Sequence, residues 1–223
     1  MRFIPSIIPH SPPDKFARIQ KMKKIIIFLT AVLAIYCTIS FQRQSRREDA
    51  QNLILDAYDG DLIAVKNDAE EGAPFDFELY IQDDERQYQG VWFNALHAAA
   101  SSGNEDVILF LLEEGFYIDA RTPDQGWTPL MIAVRDGRAE AAKLLVYKGA
   151  DLNAQSHLGA TALIFAVTQP FPSEEERLSL ITYLLNHGAN PALQDTFGHT
   201  PLYYAQQTGK KEITKMLQSA ENL

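Results

Sequence analysis

The sequence predicts an all-α solenoid of about five helix–turn–helix repeats with β-hairpin loops, preceded by one hydrophobic helix. Three observations carry this. One pattern recurs in register: a helix N-cap, a small-residue helix, a glycine turn, a leucine-rich helix, then Gly-Ala. The spacing of its copies is that of stacked repeats, in which each unit buries its apolar face only against its neighbours. Ahead of them, Ile25 to Phe41 holds seventeen residues without a charge.

The clearest copy runs Thr128-Pro129-Leu130-Met131-Ile132-Ala133-Val134, then Gly137, Leu144-Leu145-Val146 and Gly149-Ala150-Asp151. Other copies start at Asn94-Ala95-Leu96-His97-Ala98-Ala99, Thr161-Ala162-Leu163-Ile164-Phe165-Ala166 and Thr200-Pro201-Leu202-Tyr203-Tyr204-Ala205. Thr128, Thr200 and Asn94 can cap a helix by accepting from its free N–H groups, and Pro129 and Pro201 suit the first turn. Ala98, Ala99, Ala133, Ala166 and Ala205 keep the first helix thin. The second helix carries an apolar stripe at helical spacing, as in Val107, Ile108, Phe110, Leu111, Leu112 and in Leu180, Ile181, Tyr183, Leu184, Leu185. Gly115, Gly149 and Gly188 then end that helix. Leu53, Ala57, Gly60, Ala64, Val65, Gly72 and Ala73 keep the register while Asp68 and Ala69 replace the leucine pair, as suits a terminal cap. At the other end Ile213, Met216 and Leu217 hold the register in a polar helix.

These segments resemble the ankyrin repeat, whose period is about 33 residues with a T-P-L-H-x-A signature. The resemblance covers residues 49–223, with approximate repeats 49–74, 90–120, 124–154, 157–192 and 195–222. It implies a non-catalytic binding surface made by hairpin tips and exposed first-helix positions. Carried over by register, that concave face is Phe93, Ser101 and Ser102; Asp124, Gln125, Trp127, Arg135 and Asp136; His157, Leu158, Thr168 and Gln169; Thr196, Phe197, His199, Gln207 and Thr208. It also implies that His97 makes structural hydrogen bonds between repeats. Trp127, Leu158 and Phe197 bring large apolar groups to the row, and aromatics of this kind are common hot spots. Trp127 also suits packing between hairpins.

The spacing is uneven: Gly72 to Gly115 is 43 residues, Gly115 to Gly149 is 34, and Gly149 to Gly188 is 39. The first excess is Phe75 to Trp92, where Phe77-Glu78-Leu79-Tyr80-Ile81 partly alternates and Asp83-Asp84 suits the turn of a hairpin. The second is Gln169 to Glu176, which reads as a loop open to deletion, with Ser173 and Glu176 placed for a capping box.

Residues 1–47 hold nine Lys/Arg and one acid, a net charge of +8. Residues 48–223 hold eleven Lys/Arg and twenty-eight acids, a net of −17, with −11 of it in residues 48–90. The repeats would be repelled by phosphate backbones and anionic lipid, so nucleic acid is excluded as a partner. The expected partner is another protein with a basic surface. Asp83, Asp84 and Glu85 are candidates for steering it, against the alternative of a solubilising face.

Residues 1–21 read as an upstream extension, 22–41 as a signal peptide or transmembrane anchor, and 42–48 as a linker. Lys23 and Lys24 followed by Ile25–Phe41 have the form of a basic n-region and an apolar h-region. Thr38 and Ser40 fit cleavage before Phe41. Left uncleaved, the segment is near the lower limit of about 17 residues for a membrane span. Cys37, the only cysteine, could instead be lipidated, although Tyr36 is bulky for such a site. Excess cations before the segment place the repeats across the membrane. The chain is thus expected in the periplasm, soluble or tethered to the inner membrane, and monomeric when unbound. An immunity-type inhibitor, a stress adaptor and a secreted effector that binds host proteins all fit such a product. No phosphate loop, nucleophile elbow or dinucleotide fingerprint is present, and no acid or cysteine completes a metal set with His157 and His199. No cofactor is expected.

Overall fold

The computed structural model describes residues 38–42, 44–73, 79–81 and 91–221. The chain divides into two units, residues 1–45 and 46–223. Of the first, residues 38–42 and 44–45 are described, and they are helical. The rest of the expected signal or anchor, with Cys37, lies outside the described residues. Among the described residues no helix is long and apolar enough to cross a membrane.

The second unit consists, among its described residues, of five helix pairs and one short ladder. The first pair is α1 (residues 46–59) and α2 (Leu62–Glu70). Strands β1 (Leu79–Ile81) and β2 (Val91–Phe93) follow, antiparallel, with Leu79 opposite Phe93. The hairpin expected from alternation at 77–81 is therefore present. Its Asp83-Asp84 turn, and with it the steering trio through Glu85, lies outside the described residues. The remaining pairs are α3 (Ala95–Ser102) with α4 (Glu105–Glu113), and α5 (Pro129–Arg135) with α6 (Ala139–Tyr147). After them come α7 (Ala162–Thr168) with α8 (Glu174–Asn186), and α9 (Pro201–Gln207) with α10 (Lys211–Glu221).

Local chemistry explains the helix starts. The side chains of Asn94, Thr128, Thr161 and Thr200 each accept the amide three residues on, and Asn94 and His97 bond reciprocally as a capping box. First helices α3, α5, α7 and α9 stack in one layer; α2, α4, α6, α8 and α10 form the second. The thin alanine faces allow this, since Ala98, Ala99, Ala133, Ala166 and Ala205 are wholly buried. The leucine stripe closes the core between the layers. Leu111, Leu145, Leu184 and Leu217 are all fully buried in one cluster that runs from Leu53 to Leu217.

The loop at 169–173 departs from its reading as removable. Phe171 is half-buried against the core. Arg177, 7% exposed, donates through Nη1 to the carbonyls of Val167 at 3.2 Å and Gln169 at 2.8 Å. Its Nε lies 3.0 Å from Glu174 Oε2, and its guanidinium sits 5.2 Å from the Phe171 ring centre. A methyl group on Gly137 would lie 3.1 Å from Pro172, so the loop also covers the α5–α6 turn of the preceding pair.

Candidate functional site

The hairpin tips between helix pairs are bonded to one another through their backbones. The His157 amide donates to the Gln125 carbonyl at 2.9 Å, and the Thr196 amide to the Leu158 carbonyl at 3.0 Å. Close approach needs glycine next to each acceptor. A methyl group on Gly126 would lie 2.5 Å from the His157 ring, and one on Gly159 would lie 2.8 Å from Asp195 Cα. His157 Nδ1 also lies 3.0 Å from the Asp124 carbonyl. Arg121 and Gln155 add a second link, donating to the carbonyls of Gln155 at 2.6 Å and Gln194 at 2.8 Å. The tips therefore form a braced row. Asp124, His157, Leu158, Thr196 and Phe197 are exposed along it, and Gln125 is partly so. Leu158 is 54% exposed and Phe197 69%.

The last tip is built around Asp195, which sequence reasoning passed over. Its Oδ1 accepts the amides of Phe197 and His199 at 2.9 Å, and its Oδ2 accepts the Tyr204 hydroxyl at 2.5 Å. Partial burial opposes the carboxylate, but these bonds outweigh it and hold its pKa below the usual range. The same bond, with some burial, pushes the Tyr204 hydroxyl up to about 12. His199 stacks on Tyr203 at 3.9 Å between ring centres, with Phe197 at 6.2 Å on from His199. An Asp followed by a glycine and Thr-Pro three to six residues later was the available signal.

Several positions assigned to the surface are not free. Phe93, Ser101 and Arg135 are buried, and Trp127 is half-buried. The cause is one cluster. Arg135 grips Asp136 with two bonds of 2.7 Å, and its guanidinium lies 4.8 Å from the Trp127 ring and 5.9 Å from Phe93. Trp127 meets Phe165 of the next pair edge-on at 5.8 Å. These four residues brace the face from behind rather than presenting it. Ser102, Thr168 and Gln169 are partly exposed at the first-helix ends, whereas the Asp136 side chain is buried with Arg135; Gln207 and Thr208 are exposed. Ser102 and Thr168 spend their hydroxyls on carbonyls of their own helices, and Thr208 does the same.

His97 is wholly buried. It receives the Asn94 amide at Nδ1 and reaches the carbonyls of Ala120 and Trp127 through Nε2 at 3.0 and 3.2 Å. Two carbonyl partners place the proton on Nε2. Burial holds its pKa down to about 4, against the pull of those carbonyls. His187 ends α8, its Nδ1 2.8 Å from the Tyr183 carbonyl. Among the described residues no three His, Cys, Asp or Glu side chains are placed to hold a metal.

The sequence model of ankyrin repeats, in three copies, matches residues 62–156 and 150–222. The chain belongs to the ankyrin-repeat family. Its relatives include the mouse B-cell lymphoma 3 protein homolog, 36% identical over 121 residues, which is 54% of this chain and 25% of that protein. An ankyrin repeat-containing protein of Treponema pallidum is 33% identical over 111 residues, 50% of this chain and 35% of its own length. Alpha-latrotoxin-Lg1a of Latrodectus geometricus is 30% identical over 126 residues, 56% of this chain and 9% of its own length. The chain thus spans at most about a third of these relatives. What they share is the repeat array, and ankyrin repeats are protein–protein interaction modules.

Proposed function

We propose that this ankyrin array is a non-catalytic protein-binding module whose contact face is the tip row from Asp124 to Phe197, held outside the cytoplasm. The observation that carries the reading is the braced row itself. A rigid backbone presents Leu158 and Phe197 to solvent at little ordering cost, and preorganised apolar anchors favour affinity. The net charge of −17 on residues 48–223 favours a partner with a basic surface. The setting proposed is the periplasm or the periplasmic face of the inner membrane, supported by Lys23 and Lys24 ahead of the uncharged Ile25–Phe41. In that setting an immunity-type inhibitor or a stress adaptor would act by covering a partner's basic surface.

A photo-crosslinking residue placed at Phe197 tests the face, with one at Tyr147, which is 78% exposed on α6, as the control. The expected result is a discrete adduct from position 197 and none from 147. Adducts from 147 alone would overturn the face. A reporter active only outside the cytoplasm, fused after Leu223, tests the setting; a stably expressed but inactive fusion would overturn it.

A further inference from the structure

Each turn of the tip row is closed by a side-chain oxygen at its start. Thr122 Oγ1 accepts the Trp127 amide at 3.0 Å, Ser156 Oγ the Ala160 amide at 3.1 Å, and Asp195 Oδ1 the His199 amide at 2.9 Å. In all three the donor directly follows the tip glycine, Gly126, Gly159 or Gly198. The third acceptor differs in kind. A carboxylate has two oxygens and a full charge, so it holds several donors at once and holds them more strongly than a hydroxyl does. Asp195 uses that capacity. Its Oδ1 also accepts the Phe197 amide at 2.9 Å, and its Oδ2 accepts the Tyr204 hydroxyl at 2.5 Å.

The extra bonds fall on a residue that needs them. Leu158 and Phe197 hold the same place, just before the glycine. Leu158 is exposed although another tip follows it, so exposure belongs to the position and not to being last. A ring as exposed as Phe197 takes little direction from packing; its ring partner is His199, 6.2 Å away between centres. Its backbone aims it, and Asp195 fixes that backbone. Tyr204 fixes Asp195 in turn from α9, and meets the His199 ring edge-on at 5.6 Å. The contacts thus run from a helix, through one phenol and one carboxylate, to the amide of an exposed aromatic.

We propose that Asp195 and Tyr204 are positioning residues for partner binding, which act through Phe197 by holding its ring in the direction of contact. This rests on the reading of the tip row as the contact face. Ordering one side chain on association lowers affinity by about two- to twelve-fold, and a tip ordered beforehand avoids that loss.

Tyr204→Phe removes one hydroxyl and keeps the ring, and the full chain in detergent carries the test. Amide hydrogen exchange at Phe197 and His199 should quicken in the variant. Its affinity for the protein crosslinked through position 197 should fall by about two- to twelve-fold. In a Phe197→Ala background the same substitution should change affinity by less than about two-fold, since no ring is left to aim. In Asp195→Asn the Tyr204 hydroxyl should ionise nearer 10.0 than about 12, followed by ultraviolet absorbance. An ionisation that stays in place would overturn the link between the two residues. Equal losses from Tyr204→Phe in both backgrounds would make Tyr204 a general support of the fold and overturn the positioning role. Unchanged affinity of Tyr204→Phe, where Phe197→Ala weakens the complex, would overturn it too and leave the face standing. Normal binding by Phe197→Ala would overturn the face and the positioning role together.

Discussion

Ser101 donates its hydroxyl to Asp136 Oδ2 at 2.6 Å, joining the end of α3 to the end of α5 in the next pair. Asp136 is at the same time gripped by Arg135, and the two side chains are 2% and 6% exposed. Arg138 Nε completes the joint by donating to the Ser101 carbonyl at 2.9 Å. Asp136→Ala strands a buried guanidinium, so it should cost about 3–5 kcal/mol, the range for breaking one side of a buried pair. Ser101→Ala removes one bond to a charged group and should cost about 1.5–3 kcal/mol. Urea unfolding of both variants checks this. A cost for Asp136→Ala in the surface range, within about 0.5 kcal/mol, would show the pair is solvated.

Acid should weaken the array through His97. Its pKa is about 4 in the fold against 6.5 as a free side chain, so the unfolded chain binds the extra proton. The stability that neutral His97 protects is complete above 6.5. It is lost as pH falls toward 4, at up to about 1.4 kcal/mol per unit. Asp68 acts in the opposite sense. Burial first, then Asp56, Glu71 and Asp49, raises it from 3.8 to about 6. Its favourable contribution is present below 3.8 and is lost as pH rises through about 6. Asp68→Asn should therefore stabilise the protein at neutral pH and leave the acid-side loss steeper. Denaturation midpoints across pH 4–7 read both. A midpoint of Asp68→Asn below wild type at pH 7 would contradict the sign.

The first-helix caps and the leucine stripe were legible because each rests on chemistry within a few residues. Thr128 and Thr200 cap the helices they precede, and Leu145 falls where the stripe puts it. Arg135 was misplaced for a physical reason. By register it ends a first helix on the open face, and an arginine there reads as solvated. Its burial depends on Asp136 beside it and on rings from Phe93 and Trp127 in other elements. Asp195 was missed because its value lies in the three donors its carboxylate collects, two of them backbone amides. The anchoring of Phe171 was illegible for the same cause, since Arg177 alone in sequence says nothing about which carbonyls it will meet.

Leu145→Ala should cost about 2–5 kcal/mol, because the side chain is fully buried and its loss leaves a cavity between two repeats. Thermal or urea unfolding measures it. A cost in the surface range would place the register of α6 in error.

Arg177→Ala should release the loop at 169–173. The variant loses the charge-assisted bonds to Val167 and Gln169 and the stack on Phe171. A glutamate-specific protease should then cut beside the loop, at Glu174 or Glu175, under native conditions, where wild type resists. Equal resistance in both proteins would mean the loop is held by Pro172 and Gly137 alone.

The central claim is that the braced tip row is the contact face. Its most direct test is the equilibrium affinity of Leu158→Ala and Phe197→Ala for the protein crosslinked through position 197, with Tyr147→Ala alongside. The account predicts that each of the first two weakens the complex by about 1–4 kcal/mol, the hot-spot range, with an unchanged unfolding midpoint, and that Tyr147→Ala binds as wild type. Normal binding by Leu158→Ala and Phe197→Ala, with the complex lost when Asp83, Asp84 and Glu85 are neutralised, would contradict it.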